Sequence, residues 1–196
     1  MAVRCVTAQG SALLRSQLIL FEPLQQNAAL YSRSDMVKLK AAACLVRAGA
    51  QGPELLVFRH PLAGIQIPKG SVESGERAAD AALRELIEES GVLTARVLRQ
   101  IGQHELEADV ADAQPLTREV WHTFLLLAYE GLPDRWSHRA SGSEVEASLV
   151  FEFFWLSVAD ARSAASPRYH ACIDFVANAI AEDPAAVPFT QSDHAL

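Results

Sequence analysis

Three glutamates, Glu85, Glu88 and Glu89, stand at i, i+3 and i+4 in a stretch of helical periodicity, so a helix projects all three carboxylates from one face. Stacked like charges of this kind repel by about 0.2–0.5 kcal/mol per pair on an exposed helix, and more once partly buried. Something positive must offset that cost. Hard oxygen ligands at this density suit Mg2+ or Mn2+ rather than zinc or copper. Arg84 lies four residues from both Asp80 and Glu88, where its guanidinium can brace the cluster and hold Glu88 in one orientation. Taken alone, three acids so spaced more often make a solvated acidic helix face.

The flanking residues sharpen the reading. Gly70, Glu76, Arg84, Glu85, Leu86, Glu88, Glu89, Gly91 and Val92 follow the spacing G-x5-E-x7-R-E-U-x-E-E-x-G-U, with U aliphatic. At roughly one in fifteen per residue type, seven fixed letters coincide by chance about once in 10⁸ starting points. This segment resembles the Nudix box, the signature of the Nudix hydrolase family, with every fixed position matched. The resemblance implies an α/β fold, the Nudix-type α/β/α sandwich with a mixed β-sheet, in which the box forms a loop–helix–loop catalytic motif. It implies metal-assisted hydrolysis of a nucleoside diphosphate linked to another moiety. It also makes Glu85, Glu88 and Glu89 metal ligands, joined by the backbone carbonyl of Lys69 at the Lys69–Gly70 turn. Gly70, Glu76, Arg84 and Gly91 would be structural support, and the expected cofactor is Mg2+, with Mn2+ as a substitute.

The chemistry fits those roles. A pyrophosphate bridge carries several negative charges that repel an attacking water, and a carboxylate-held divalent ion polarises the phosphoryl oxygens and acidifies a bound water. A general base is also needed. Glu144 and Glu146, in the loop before the last strand, are candidates; Glu119 at a strand edge is a weaker one, and Glu88 or Glu89 is the alternative within the box. Arg59, His60 and Lys69 are candidate phosphate contacts, and Trp121, Phe124 or Trp155 candidate base-stacking residues, although aromatics on strands serve as often in a core.

Pro68-Lys69-Gly70 resembles the lead-in of dinucleoside polyphosphate and diphosphoinositol polyphosphate members, so a dinucleoside polyphosphate is one expected substrate. The tyrosine that many dinucleoside polyphosphate hydrolases carry downstream is replaced here by the Ala108-Asp109-Val110 region. The sequence has no GxxxxGK[ST] loop, which removes the P-loop class. A Nudix-fold sensor that binds a nucleotide without cleaving it is the alternative function.

These residues need a scaffold. Lys38–Arg47 reads as a strand, with Glu54–His60 as its hairpin partner across a turn at Ala48–Pro53. Ile65–Pro68 reads as a short extended piece, and Lys69–Gly75 as a loop. Arg77–Glu89 is the clearest helix, capped by Ser74 or Gly75 and stopped by Gly91, with Ala79, Ala82, Leu83 and Leu86 on its apolar face. Val92–Ile101, Glu119–Tyr129 and Leu149–Leu156 read as further strands, and Glu130–Ala147 as a loop. Ser157 caps a short helix, Val158–Ala165, and a last helix follows Pro167 with the stripe Tyr169, Cys172, Ile173, Val176 and Ile180.

The chain of 196 residues therefore reads as an N-terminal extension over 1–35, a catalytic domain over 36–183 and a tail over 184–196, with Met36 an alternative start. With 24 acids against 17 bases and no basic stripe, nucleic acid is not the expected partner. Apolar runs of at most six residues exclude a membrane span by helix. The partner expected is a small nucleotide diphosphate derivative, and a homodimer is the commonest assembly by base rate. Three scattered cysteines with no CxxC pair point to a reducing compartment, taken as the cytoplasm.

Overall fold

A computed structural model describes residues 36–107, 117–128, 131–141 and 149–187. The central strand is β1 (Met36–Gly49), whose segment from Ala41 to Val46 is wholly buried. That unbroken apolar run is what a strand covered on both faces requires. Its even positions Ala42, Cys44 and Val46 point into one core and its odd positions Ala41, Ala43 and Leu45 into the other. β2 (Gly52–His60) returns antiparallel through a tight turn, and β3 (Gly64–Gln66) pairs with β2. β4 (Lys69–Ser71) pairs antiparallel with β1, although the sequence reads there as loop. β5 (Ala95–Glu107) and β6 (Thr117–Ala128) form a long antiparallel pair, and β6 runs parallel to β1.

β7 (Arg135–Arg139) and β8 (Val150–Ser157) complete a mixed sheet of eight strands, ordered β5-β6-β1-β2-β8-β7. β7 lies inside the stretch expected to be a loop. Gly131, Pro133 and Gly142 outweigh, in the sequence, the short alternation that turns Trp136 and His138 inward. Helix α1 (Ala78–Ser90) covers one face through Ala81, Ala82 and Leu86. Helices α2 (Val158–Ala164) and α3 (His170–Glu182) cover the other, through Ala161 and through Cys172, Ile173, Val176 and Ala179. The result is an α/β/α sandwich. No helix among the described residues is long and apolar enough to cross a membrane.

Two caps differ in outcome. Ser157 caps α2 by accepting from the Asp160 N–H at 3.1 Å. The α1 N-cap is Arg77, with no side-chain cap, in place of Ser74 or Gly75. The Glu76 carboxylate accepts from the Glu73 N–H at 2.9 Å and ties down the preceding turn instead. Gly91 ends α1 in the left-handed region at φ 73°, and its N–H reaches the Ile87 carbonyl.

One histidine makes the sandwich sensitive to acid. His104 on β5 faces Trp121 across the strand pair, with Phe175 of α3 beyond it, and neither buried ring nitrogen has a hydrogen-bond partner among the described residues. Burial first, and the nearby Arg168 second, push its pKa below the usual histidine value. The unfolded chain therefore binds the proton more readily, so stability is held above about pH 6.5 and declines as pH falls toward the folded value. We expect His104→Leu to flatten the fall in Tm between pH 7.5 and 5.5, measured by thermal unfolding. An unchanged slope would remove His104 as the cause.

Candidate active site

The box segment folds so that its helix is fixed by packing and its charged face by hydrogen bonds. Ala81, Ala82 and Leu86 anchor α1 on the sheet, which turns Glu85 and Glu88 to the rim. The last turn of α1 is held from outside the box. The indole N–H of Trp136 on β7 donates to the Ser90 carbonyl at 2.8 Å, and the Ser141 N–H donates to the Glu88 carbonyl at 3.1 Å. These bonds satisfy carbonyls that a helix end leaves open. Neither Trp136 nor Ser141 is marked out in the sequence, except by the alternation of β7.

Arg84 is the hub. Its Nε and one terminal nitrogen donate to the two carboxylate oxygens of Glu76 at 2.9 and 3.0 Å. The same nitrogen reaches the Ser71 carbonyl at 2.8 Å, and the other reaches Glu85 and Glu88 at 2.9 and 3.0 Å. Arg84 thus ties helix, preceding loop and β4 together. Asp80, spaced like Glu88 to meet Arg84, faces Arg77 at 4.0 Å instead. The fork holds the Glu76 carboxyl below its usual range, chiefly through its bonds to Arg84. Burial holds Glu85 above that range, against the opposing pull of Arg84 and with a further push from Glu88.

Gly70 explains itself here. A Cβ on it would collide with the carboxylate of Glu85, so only a glycine lets that carboxylate lie against the β4 backbone. Glu89 is 4 % exposed and accepts from the Lys69 N–H at 3.3 Å. The Ala43 N–H bonds the Pro68 carbonyl, so Ala42 and Lys69 form the non-bonded pair of the ladder. The Lys69 N–H and C=O therefore both face away from β1, on the side of Glu89.

Among the described residues, no three His, Cys, Asp or Glu side chains gather as a ready metal cage. The Arg84 guanidinium lies against Glu85 and Glu88 and supplies the positive charge that they require. The donor set itself, carboxylate oxygens packed against a glycine and a strand backbone, fits a hard divalent cation.

The other sequence candidates scatter. Arg59 is exposed and 4.0 Å from Glu152, and His60 Nδ1 accepts from the Leu62 N–H; neither contacts the box. Trp121 is corrected outright. It is 1 % exposed, edge-on to Tyr169, and its indole N–H donates to Glu119, so it belongs to the core and offers no face to a base. Phe124 and Trp155 are likewise buried. Glu119 is occupied by Trp121 and by Arg168 at 2.9 Å. Glu144 and Glu146, and the Ala108–Val110 region, lie outside the described residues. A cleft of about 520 Å³ opens at the β1–β2 turn, the far end of β1 from Gly70, but its Arg47 is already matched by Glu54 and Asp134.

The family model for the NUDIX domain matches residues 37–174. The chain belongs to that family. Membership places this NUDIX domain among pyrophosphohydrolases and accounts for the sandwich and for the box within it. Solved structures share the fold at low identity. A C. elegans Ap4A hydrolase in a binary complex is 18% identical, with a TM-score of 0.55 over 74% of this chain and 98% of that one. The Nudix hydrolase RenU from M. smegmatis is 19% identical, with a TM-score of 0.52 over 74% and 86%. The NUDIX domain of Shewanella oneidensis NrtR, complexed with ADP ribose, is 17% identical, with a TM-score of 0.51 over 80% and 97%. No curated protein matches the chain.

Proposed function

We propose that this NUDIX domain is a divalent-metal-dependent hydrolase that cleaves the pyrophosphate bond of a nucleoside diphosphate linked to another moiety, with Mg2+ preferred and Mn2+ able to substitute. The observation that carries the reading is the packing of the Glu85 carboxylate on Gly70, with Glu88 beside it through Arg84 and Glu89 on the Lys69 N–H. Glu85, Glu88, Glu89 and the Lys69 carbonyl would hold the cation, whose chemistry is to polarise the phosphoryl oxygens and acidify water. The protein's own part is orientation. Arg84 fixes the Glu85 and Glu88 side chains, and Glu76 fixes Arg84. The general base is one of the box glutamates, Glu88 or Glu89, or Glu144 or Glu146 from the loop before β8. The free, buried Cys44 and Cys172 support a reducing compartment such as the cytoplasm.

The test is a panel of nucleotide derivatives, including diadenosine tetraphosphate and ADP-ribose, incubated with Mg2+, with Mn2+ and with chelator. Those two compounds earn their places because similar structures are an Ap4A hydrolase and a domain holding ADP ribose. We expect product only with a divalent ion. Thermal stabilisation by a compound with no product in any arm would instead identify a sensor.

A further inference from the structure

Among the described residues, six lysines and arginines are half-buried: Lys40, Arg47, Lys69, Arg84, Arg162 and Arg168. All four arginines have a carboxylate oxygen within 3.0 Å, on Glu54, Glu76, Asp174 and Glu119 respectively. Neither lysine has an ion pair there. Lys40 Nζ donates only to the Ser71 hydroxyl, at 2.9 Å. A partly desolvated ammonium without a carboxylate in direct contact is costly, and two side by side cost more.

The register makes them neighbours. Lys40 pairs with Ser71 and Ala42 with Lys69, so Lys40, Ser71 and Lys69 project from the same side of the β1–β4 ladder. Burial first and Lys69 second lower the pKa of Lys40, while Glu119 and Glu85 pull the other way without restoring it. The pair also adjoins the acidic cluster: the Lys69 N–H bonds Glu89, and the Lys69 charge acts on Glu85. With Glu85, Glu89 and Glu119 nearby, a singly charged anion gains little there. A multiply charged oxyanion that bridges two ammoniums and accepts a hydroxyl hydrogen bond fits.

We propose that Lys40 and Lys69, aligned with Ser71 on one side of the β1–β4 ladder, clamp the substrate's diphosphate beside the carboxylate cluster. The inference rests on the pyrophosphohydrolase reading and adds to it the residues that seat the phosphates. Lys40 is invisible as a site residue in the sequence, because only strand pairing brings it to Lys69.

The test uses the full chain with Lys40→Met, Lys69→Met and Lys40→Arg. Calorimetric titration with inorganic pyrophosphate in metal-free buffer should show about tenfold weaker binding in each Met variant, the loss of one charge-assisted hydrogen bond, with Lys40→Arg keeping most of the affinity. With the panel compound that turns over, KM should rise by a similar factor while kcat stays within about threefold. Tm of Lys40→Met should not fall, because removing one of two like charges relieves repulsion. Unchanged pyrophosphate affinity in both Met variants overturns the clamp, as does a Tm drop that accounts for the loss. Inorganic phosphate binding as tightly as pyrophosphate makes the pair a seat for a single free anion and overturns the diphosphate assignment. Failure of the whole panel to turn over strikes the hydrolase reading, while the titration still decides the clamp.

Discussion

Glu88→Gln and Glu89→Gln should each lower turnover by about 10²–10⁴-fold, as expected where a carboxylate acts as base or holds the reacting assembly. Fold and stability should hardly change. Glutamine keeps the shape, and an amide oxygen still accepts from the Arg84 guanidinium at Glu88 or from the Lys69 N–H at Glu89. Glu88→Gln weakens one ion pair to Arg84 and relieves one repulsion on Glu85, so the two effects oppose each other. The two readouts therefore move apart: catalysis collapses while Tm stays. Steady-state kinetics beside thermal unfolding checks this. Full turnover in both variants would dismantle the proposed metal site.

Gly70→Ala should be nearly as damaging, for a purely steric reason. The new methyl group would overlap the carboxylate carbon and both oxygens of Glu85. Gly70 lies in a strand rather than in the left-handed region, so the backbone itself tolerates alanine. The helix cannot retreat, because Ala81, Ala82 and Leu86 seat it on the sheet. Glu85 must therefore swing off Gly70 and loosen the Arg84 fork. A displacement of about 1 Å at a reacting centre is worth about 10²-fold in rate, and we expect a loss of that order. Because the overlapped atoms are the end of a flexible side chain, the loss falls on the site and Tm should change little. Near-native turnover in a folded Gly70→Ala protein would show that Glu85 has no fixed role.

The box was legible because its chemistry is written in local spacing. Glu85, Glu88 and Glu89 share a helix face whatever surrounds them, and Gly91 stops that helix by its own backbone freedom. What was not legible depends on partners far along the chain. Trp121 reads as an aromatic in a strand, and only its register opposite Lys40 and His104, with Tyr169 above, shows that it is interior. Lys69 reads as loop because three residues are too few to show an alternation, yet β1 recruits them into the sheet. Asp80 was as well spaced for Arg84 as Glu88, but the turn before α1 brought Glu76 closer and the guanidinium went there. β7 was hidden by turn residues on either side of it, and with it the bonds from Trp136 and Ser141 that hold the end of α1.

The segment from Ala41 to Val46 lends alternate side chains to the two layers. Neither layer can come away without stripping the strand that lines its neighbour. The two halves share one cooperative fate, and the rim at Gly70 inherits its rigidity from a strand whose middle, Ala41 to Val46, is closed to solvent.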